Sequence, residues 1–394
     1  MRLRLTKLLA LLLLVGCVSI RCTNRTPTSP VRTTAIAPTS ATPLVTRTMP
    51  SVLARSESTI VVLLADNHLI TLRATDGMIL ASYAFAAPPD APNPGQYLAL
   101  SRDHRTLYAL IPGTPDRLLT LDVATATTHA TYALEANSRF SSVRVGPTTG
   151  RLYLFGNHPG GVVMQVMDPL TGTVFARWDF ALGNYDWHIL QAELSVDERT
   201  FYLSYHGTDT TGIDRFIVTP TRVQRCEGQP RANVGCIAAH GPFALDGATV
   251  LFQRGDSTVI VGADPLGQPQ RQYDTGLIGN HMVALTVDVQ DHRLYAVGSC
   301  GYRAGFAALD LVTGVAPILA EPPPLPPQPL PPLPCGERLA LGSGSWVAVA
   351  RVGLAVPDAQ LPGAILLVDL RIGETIQTFP TSSEPRDVLV VPVP

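Results

Sequence analysis

Met167-Asp168-Pro169-Leu170-Thr171-Gly172 joins one short apolar run to another, and Leu309-Asp310-Leu311-Val312-Thr313-Gly314 does the same further along the chain. Related junctions are marked by Arg73, Asp122, Val218, Asp264 and Asp369, so successive markers stand 49, 46, 50, 46, 46 and 59 residues apart. A period near 45 residues with several strands per unit is the sequence signature of a β-propeller. The spacing predicts an all-β fold: a seven-bladed β-propeller of four-stranded antiparallel blades. Glycine (32) and proline (35) punctuate runs rich in aromatic and β-branched residues, as short strands with tight turns require.

A second signature recurs within the units. Ser101-Arg102-Asp103-His104-Arg105-Thr106-Leu107-Tyr108 is its clearest copy; Val196–Tyr202 and Val289–Tyr295 repeat it. These pieces resemble the YVTN-type repeats of bacterial surface propellers and quinoprotein-type seven-bladed rings, over residues 59–393. The resemblance implies the fold; it implies no one activity, because such rings host many roles.

The two ends complete each other. Thr59–Ala65, Leu69–Ala74 and Met78–Phe85 supply only three strands, and a fourth is left over at Asp387–Val393. The last strand is therefore expected to become the inner strand of the first blade and so to remove a free sheet edge. The turns after strands one and three are short. The connections after strands two and four are long, among them Phe85–Gln96, Arg225–His240 and Leu319–Glu337, and strand direction gathers them on one face, here the upper face. Long loops on a rigid scaffold are where binding usually resides.

Residues 1–16 combine Arg2, Arg4 and Lys7 with the apolar run Leu8–Val15, a lipoprotein signal peptide too short to span a bilayer. Leu14-Val15-Gly16-Cys17 resembles a bacterial lipobox, which implies lipidation of Cys17. Residues 17–50 read as a disordered Thr/Ser/Pro-rich tether and 51–394 as the propeller, with a polyproline insertion at 321–334 that carries nine prolines. The expected location is extracytoplasmic, lipid-anchored to the bacterial cell membrane.

Lys7 is the only lysine, so the processed chain offers no lysine for Schiff-base, nucleophilic or phosphate-loop chemistry. Loss of residues 1–16 leaves 26 basic against 31 acidic residues, a formal charge of −5, which argues against a nucleic-acid partner. Of the six cysteines, Cys17 is assigned to lipid and Cys22 is expected free in the tether; Cys226–Cys236 and Cys300–Cys335 are expected disulfides in upper-face loops. No CxxC pair suggests a metal–thiolate site, and no cofactor motif is present.

Polar and aromatic groups precede or open the inner strands: Gln96 and Tyr97, Arg139, Trp187 and His188, His240, His281, Arg338 and Arg386. Threading brings them to the upper mouth of the central channel, where they could bind a small anion such as a carboxylate or phosphate, where the three histidines could hold zinc or copper if their nitrogens met, or where all could simply hydrogen-bond the loop backbone. The repeated aspartates, one per blade, sit where an Asp side chain accepts hydrogen bonds from its own turn, and are not catalytic pairs. Ser195 and Asp197 lie at the opposite end of their strand from His188, which rules out a triad. The expectation is a monomeric binding or scaffold module that presents its long-loop face to a protein, glycan or small anionic ligand. The alternative is a propeller enzyme of lactonase-like or quinoprotein-like type working at the channel mouth.

Overall fold

A computed structural model describes residues 58–391, apart from 67, 86–94, 124, 126, 160, 182–187, 207–210, 219–222, 226–241, 254–258, 266–267, 276–281, 299–305, 315–337, 343–345, 352–353, 357–358, 362 and 371–374. The strands form seven antiparallel blades, numbered 1 to 7 in chain order. From the axis outward, blade 1 is Pro385–Val391, Thr59–Leu64, His68–Arg73 and Ile79–Ala84. Blade 2 is Leu98–Leu100, Thr106–Ile111, Arg117–Asp122 and Thr128–Ala133; blade 3 is Arg139–Val145, Leu152–His158, Gly161–Met167 and Val174–Ala181. Blades 4 and 5 follow the same plan from His188 and Phe243, and blade 7 from Arg338. Blade 6 shows three strands among the described residues, Met282–Asp288, Arg293–Gly298 and Phe306–Asp310. First strands of neighbouring blades touch one another, which places them around the axis.

The expected closure is present. Thr59 pairs with Val391, and the register runs without a break to Leu63 opposite Asp387. The strand starts at Pro385, two residues before the sequence reading placed it.

Middle strands are buried on both faces, between their own blade and the next, so they read as unbroken apolar runs. Gly161–Met167 and Ala364–Asp369 are buried along their whole length. Outer strands are more exposed because one face meets water, and Thr128–Ala133 alternates along its length. The core is accordingly a ring of interblade clusters. Phe155 of blade 3 and Phe201 and Phe216 of blade 4 form one, with the last two stacked 4.7 Å apart at 5°. Full burial of each such ring is worth about 1.5–3 kcal/mol.

Outside the core, blades are joined by a repeated contact. An aromatic from one outer strand lies on the glycine of the next blade's outer turn: Phe379 on Gly77, Tyr132 on Gly172 and Tyr273 on Gly314. These glycines have φ of 71°, 73° and 75°, a left-handed conformation that residues with a Cβ adopt at a cost. At Gly77 and Gly172 a Cβ would also run into the ring. Tyr132 adds a hydrogen bond from its hydroxyl to Leu170 O at 2.7 Å.

The turn aspartates do what their position implies. Asp168 Oδ1 accepts from Leu170 N and Thr171 N (2.7 and 3.1 Å), and Asp310 Oδ1 from Val312 N and Thr313 N (2.9 and 2.8 Å). Asp122 accepts from Thr125 N and Asp264 from Gln268 N, both at 2.8 Å. The other turn is equally regular: Ser101 donates to Asp103 and Ser195 to Asp197, each at 2.6 Å, and the residues that follow, His104 and Glu198, take φ of 57° and 56°. Ser195 and Asp197 are therefore a turn motif and not catalytic partners.

Candidate functional site at the channel mouth

Inner strands descend from the upper face, so their alternate side chains point into the channel. Gln96 arrives ahead of its strand and runs parallel to the inner strand of blade 3, donating its backbone N–H to Ser141 O (2.8 Å) and accepting from Val143 N (2.9 Å). This turns its amide across the axis. Gln96 Oε1 accepts from Ser142 Oγ (3.2 Å) and Ala192 N (2.9 Å), and Nε2 donates to Glu193 Oε1 (3.2 Å). The same Glu193 oxygen accepts from Arg144 (2.8 Å) and Gln191 (3.1 Å). Arg144 Nε donates to Ala192 O at 2.7 Å. Gln191 in turn holds both backbone groups of Phe243 in blade 5, donating to its O (2.6 Å) and accepting from its N (3.1 Å). Blades 2, 3, 4 and 5 are thus tied across the channel by side chains.

Next to this network, sharing Gln96 and Arg144 with it, lies a cavity of about 230 Å³. Arg144, Arg338, Gln96 and Asp387 supply its polar wall, and apolar side chains of the inner strands of blades 1, 2 and 7 supply the rest. Asp387 is 6% exposed. Its Oδ2 accepts from Leu98 N and its Oδ1 from Val388 N, both at 2.9 Å, which ties blade 1 to blade 2. Burial raises its pKa, against the opposing pull of Arg338, the two N–H groups and Arg144. Arg338 Nε donates to Gly95 O (3.1 Å).

The residues singled out in the sequence divide accordingly. Arg338 lines the cavity, and Arg338 and Arg386 both act electrostatically on Tyr97. Tyr97 itself is fully buried in the core of blades 1 to 3 and presents nothing to a ligand. Alternation is the reason: Gln96 faces the channel, so Tyr97 faces away, and burial pushes its phenol pKa up. Arg139 leans outward, donating to Gly113 O (2.6 Å) with Asp116 at 3.8 Å. Asp116, 2% exposed, caps Gly113 N and Phe140 N (2.8 and 2.7 Å), and burial raises its pKa. His188 is placed by its backbone, paired with His206. Trp187, His240, His281, all six cysteines and the polyproline insertion lie outside the described residues.

Sequence reasoning placed Gln96 at the mouth but missed its partner Glu193, and missed Arg144, Gln191 and Asp387. It also missed Glu198, whose carboxylate clamps the blade 3 turn: Oε1 accepts from Thr148 N and Thr149 N (2.6 and 2.7 Å), Oε2 from Thr149 Oγ1 and Tyr153 OH (2.6 and 2.9 Å).

Fold and channel together define a seven-bladed β-propeller with a polar, cross-braced axis. Solved structures with the same architecture include two proteins provisionally assigned as 6-phosphogluconolactonases. The one from Bacteroides fragilis has a TM-score of 0.56 and 14% identity over 87% of this chain and 100% of its own. The one from Bacteroides uniformis has a TM-score of 0.55 and 14% identity over 85% and 100%. Dihydro-heme d1 dehydrogenase NirN aligns at a TM-score of 0.50 and 14% identity over 85% of this chain and 75% of its own. At these identities the likeness is one of fold. No protein-family model and no curated protein sequence matches the chain.

Proposed function

We propose that this protein is a lipid-anchored, extracytoplasmic propeller that acts as a binding module, its long-loop face and channel mouth taking a small anionic ligand. The anchor rests on Cys17 behind its charged and apolar leader. The observation that carries the ligand class is the axial cavity. Two guanidinium groups line it, Arg338 and Arg144, the latter paired with Glu193 at 2.8 Å, beside one buried acid, Asp387, whose pKa burial raises. A carboxylate or phosphate group entering from above meets positive charge in a partly enclosed space, where electrostatic attraction is strong. The bracing by Gln96, Gln191 and Glu193 keeps that space preformed, which lowers the ordering cost of binding.

Thermal melting of the full chain with inorganic phosphate, citrate and a sugar phosphate tests this. A ligand at about 100 times its dissociation constant adds about 2.7 kcal/mol of stability, a rise of several degrees. The rise is expected to vanish in Arg338→Ala. No shift with any of these anions overturns the reading.

One observation favours the enzymatic alternative: a buried carboxyl of raised pKa beside two arginines in a cavity is an arrangement suited to general acid chemistry. Lactonase-like activity on a sugar lactone, lost in Asp387→Asn, is the outcome it requires; absence of hydrolysis overturns it.

A further inference from the structure

The axial cavity has two kinds of wall. Arg338 opens the inner strand of blade 7, and Asp387 is the third residue of the inner strand of blade 1. Both strands descend, so these two groups stand toward the upper end, and Arg144 and Gln96 complete the polar wall. Further down the same strands the lining side chains are aliphatic: Leu339, Ala340 and Leu341 follow Arg338, and Leu389 follows Asp387.

The protein covers this aliphatic wall only in part. The centre of the blade 3 inner strand, Phe140–Val143, is buried, yet every residue of Arg338–Leu341 keeps some exposure. Leu339 and Leu341 are partly buried against the cluster shared with blade 6, and Leu389 against the one shared with blades 2 and 3. No lining side chain carries a hydroxyl. The one carboxamide, Gln96, is engaged: its oxygen accepts from Ser142 and Ala192, and its nitrogen donates to Glu193. A hydroxyl-rich ligand would bury groups for which the wall has no side-chain partner, at a cost in free energy. An apolar body gains by leaving water. Pockets for drug-sized molecules run to about 300–1,000 Å³; at about 230 Å³ this one takes something smaller.

We infer that the ligand of this site is a small amphipathic acid: an anionic head, carboxylate or phosphate, at Arg338 and Arg144, on an aliphatic body that lies along Leu339, Leu341 and Leu389. This rests on the anion site proposed above and adds what the rest of the ligand is. The head supplies the charge and the aliphatic wall supplies the selection, so a sugar phosphate binds through its head alone.

Titration calorimetry of the full chain against ethyl, butyl and hexyl phosphate tests it, with acetate, butyrate and hexanoate as the arm that tells a carboxylate head from a phosphate one. A buried methylene is worth about fourfold in affinity, so each two-carbon step in the preferred series is expected to tighten binding about tenfold. Glucose 6-phosphate is expected to bind no more tightly than inorganic phosphate. Leu339→Ala/Leu341→Ala is expected to flatten the steps and to leave inorganic phosphate binding in place. Its ligand-free melt reports whether the ring has held, and Leu389→Ala gives the same reading where it has not. Equal affinity along both series overturns the inference. So do steps that are unchanged in both variants, glucose 6-phosphate that matches hexyl phosphate, and hexan-1-ol that matches it without a head. If inorganic phosphate still binds in those cases, the anion site stands and only its aliphatic selection is lost; if neither inorganic phosphate nor any member of either series binds, both fall together.

Discussion

Single side chains hold this ring where the backbone cannot, and Glu198 shows how. Burial alone would raise its pKa, but hydrogen bonds from Thr149, Tyr153 and Thr148 overcome that and lower it. A depressed carboxylate contributes stability that is present above its ordinary pKa, 4.5, and is lost as pH falls through the folded value. Glu198→Gln is expected to lower stability at pH 7 by about 1.5–3 kcal/mol and to flatten the decline in melting temperature on the acid side. Asp387 has the opposite sign. Its raised pKa gives a contribution that is complete below about 3.8 and is lost as pH rises through the folded value. Asp387→Asn is expected to remove that loss, so the variant's melting temperature changes less than the parent's from pH 4 to pH 7. An unchanged profile in either variant would refute its assignment.

Strands and turns were the legible part of the sequence. Gly161–Met167 and Ala364–Asp369 announce themselves because burial on both faces demands unbroken apolar runs, and the Asp turns because a short acceptor is needed at one fixed place in each. The channel was less legible. Gln96 and Glu193 stand 97 residues apart and meet only because the ring folds them together; Gln96 was marked by its place ahead of an inner strand, but nothing local marks Glu193 or their pairing. Tyr97 was misplaced by one step of alternation, and a single step in a strand exchanges channel for core. The outer turns lend themselves to a coupled test. Gly172→Ala is expected to cost more than about 1 kcal/mol, since a Cβ there meets both a left-handed backbone and the ring of Tyr132. Tyr132→Ala should recover part of that cost in a double-mutant cycle, because it removes the clash and leaves the backbone strain. Fully additive losses would show that the ring and the turn do not communicate.

Across the whole molecule, the interblade clusters pass from one blade to the next, and the pairing of Thr59–Leu64 with Pro385–Val391 completes the circle. Deleting residues 384–394 removes an inner strand, the Leu98–Asp387 tie and part of the wall of the axial cavity together. Aggregation or a fall of many degrees in melting temperature is the expected outcome, and an unchanged melt would contradict the pairing.

The same pairing sets a timetable for the nascent chain. Thr59–Leu64 is among the first strands of the ring to be made, and its inner partner is the last. Throughout synthesis one flank of that strand stays bare, available to any passing β-segment. Ring formation therefore waits for Pro385–Val391: a chain that stops short of that strand yields no smaller working version, only an open arc with a sticky edge.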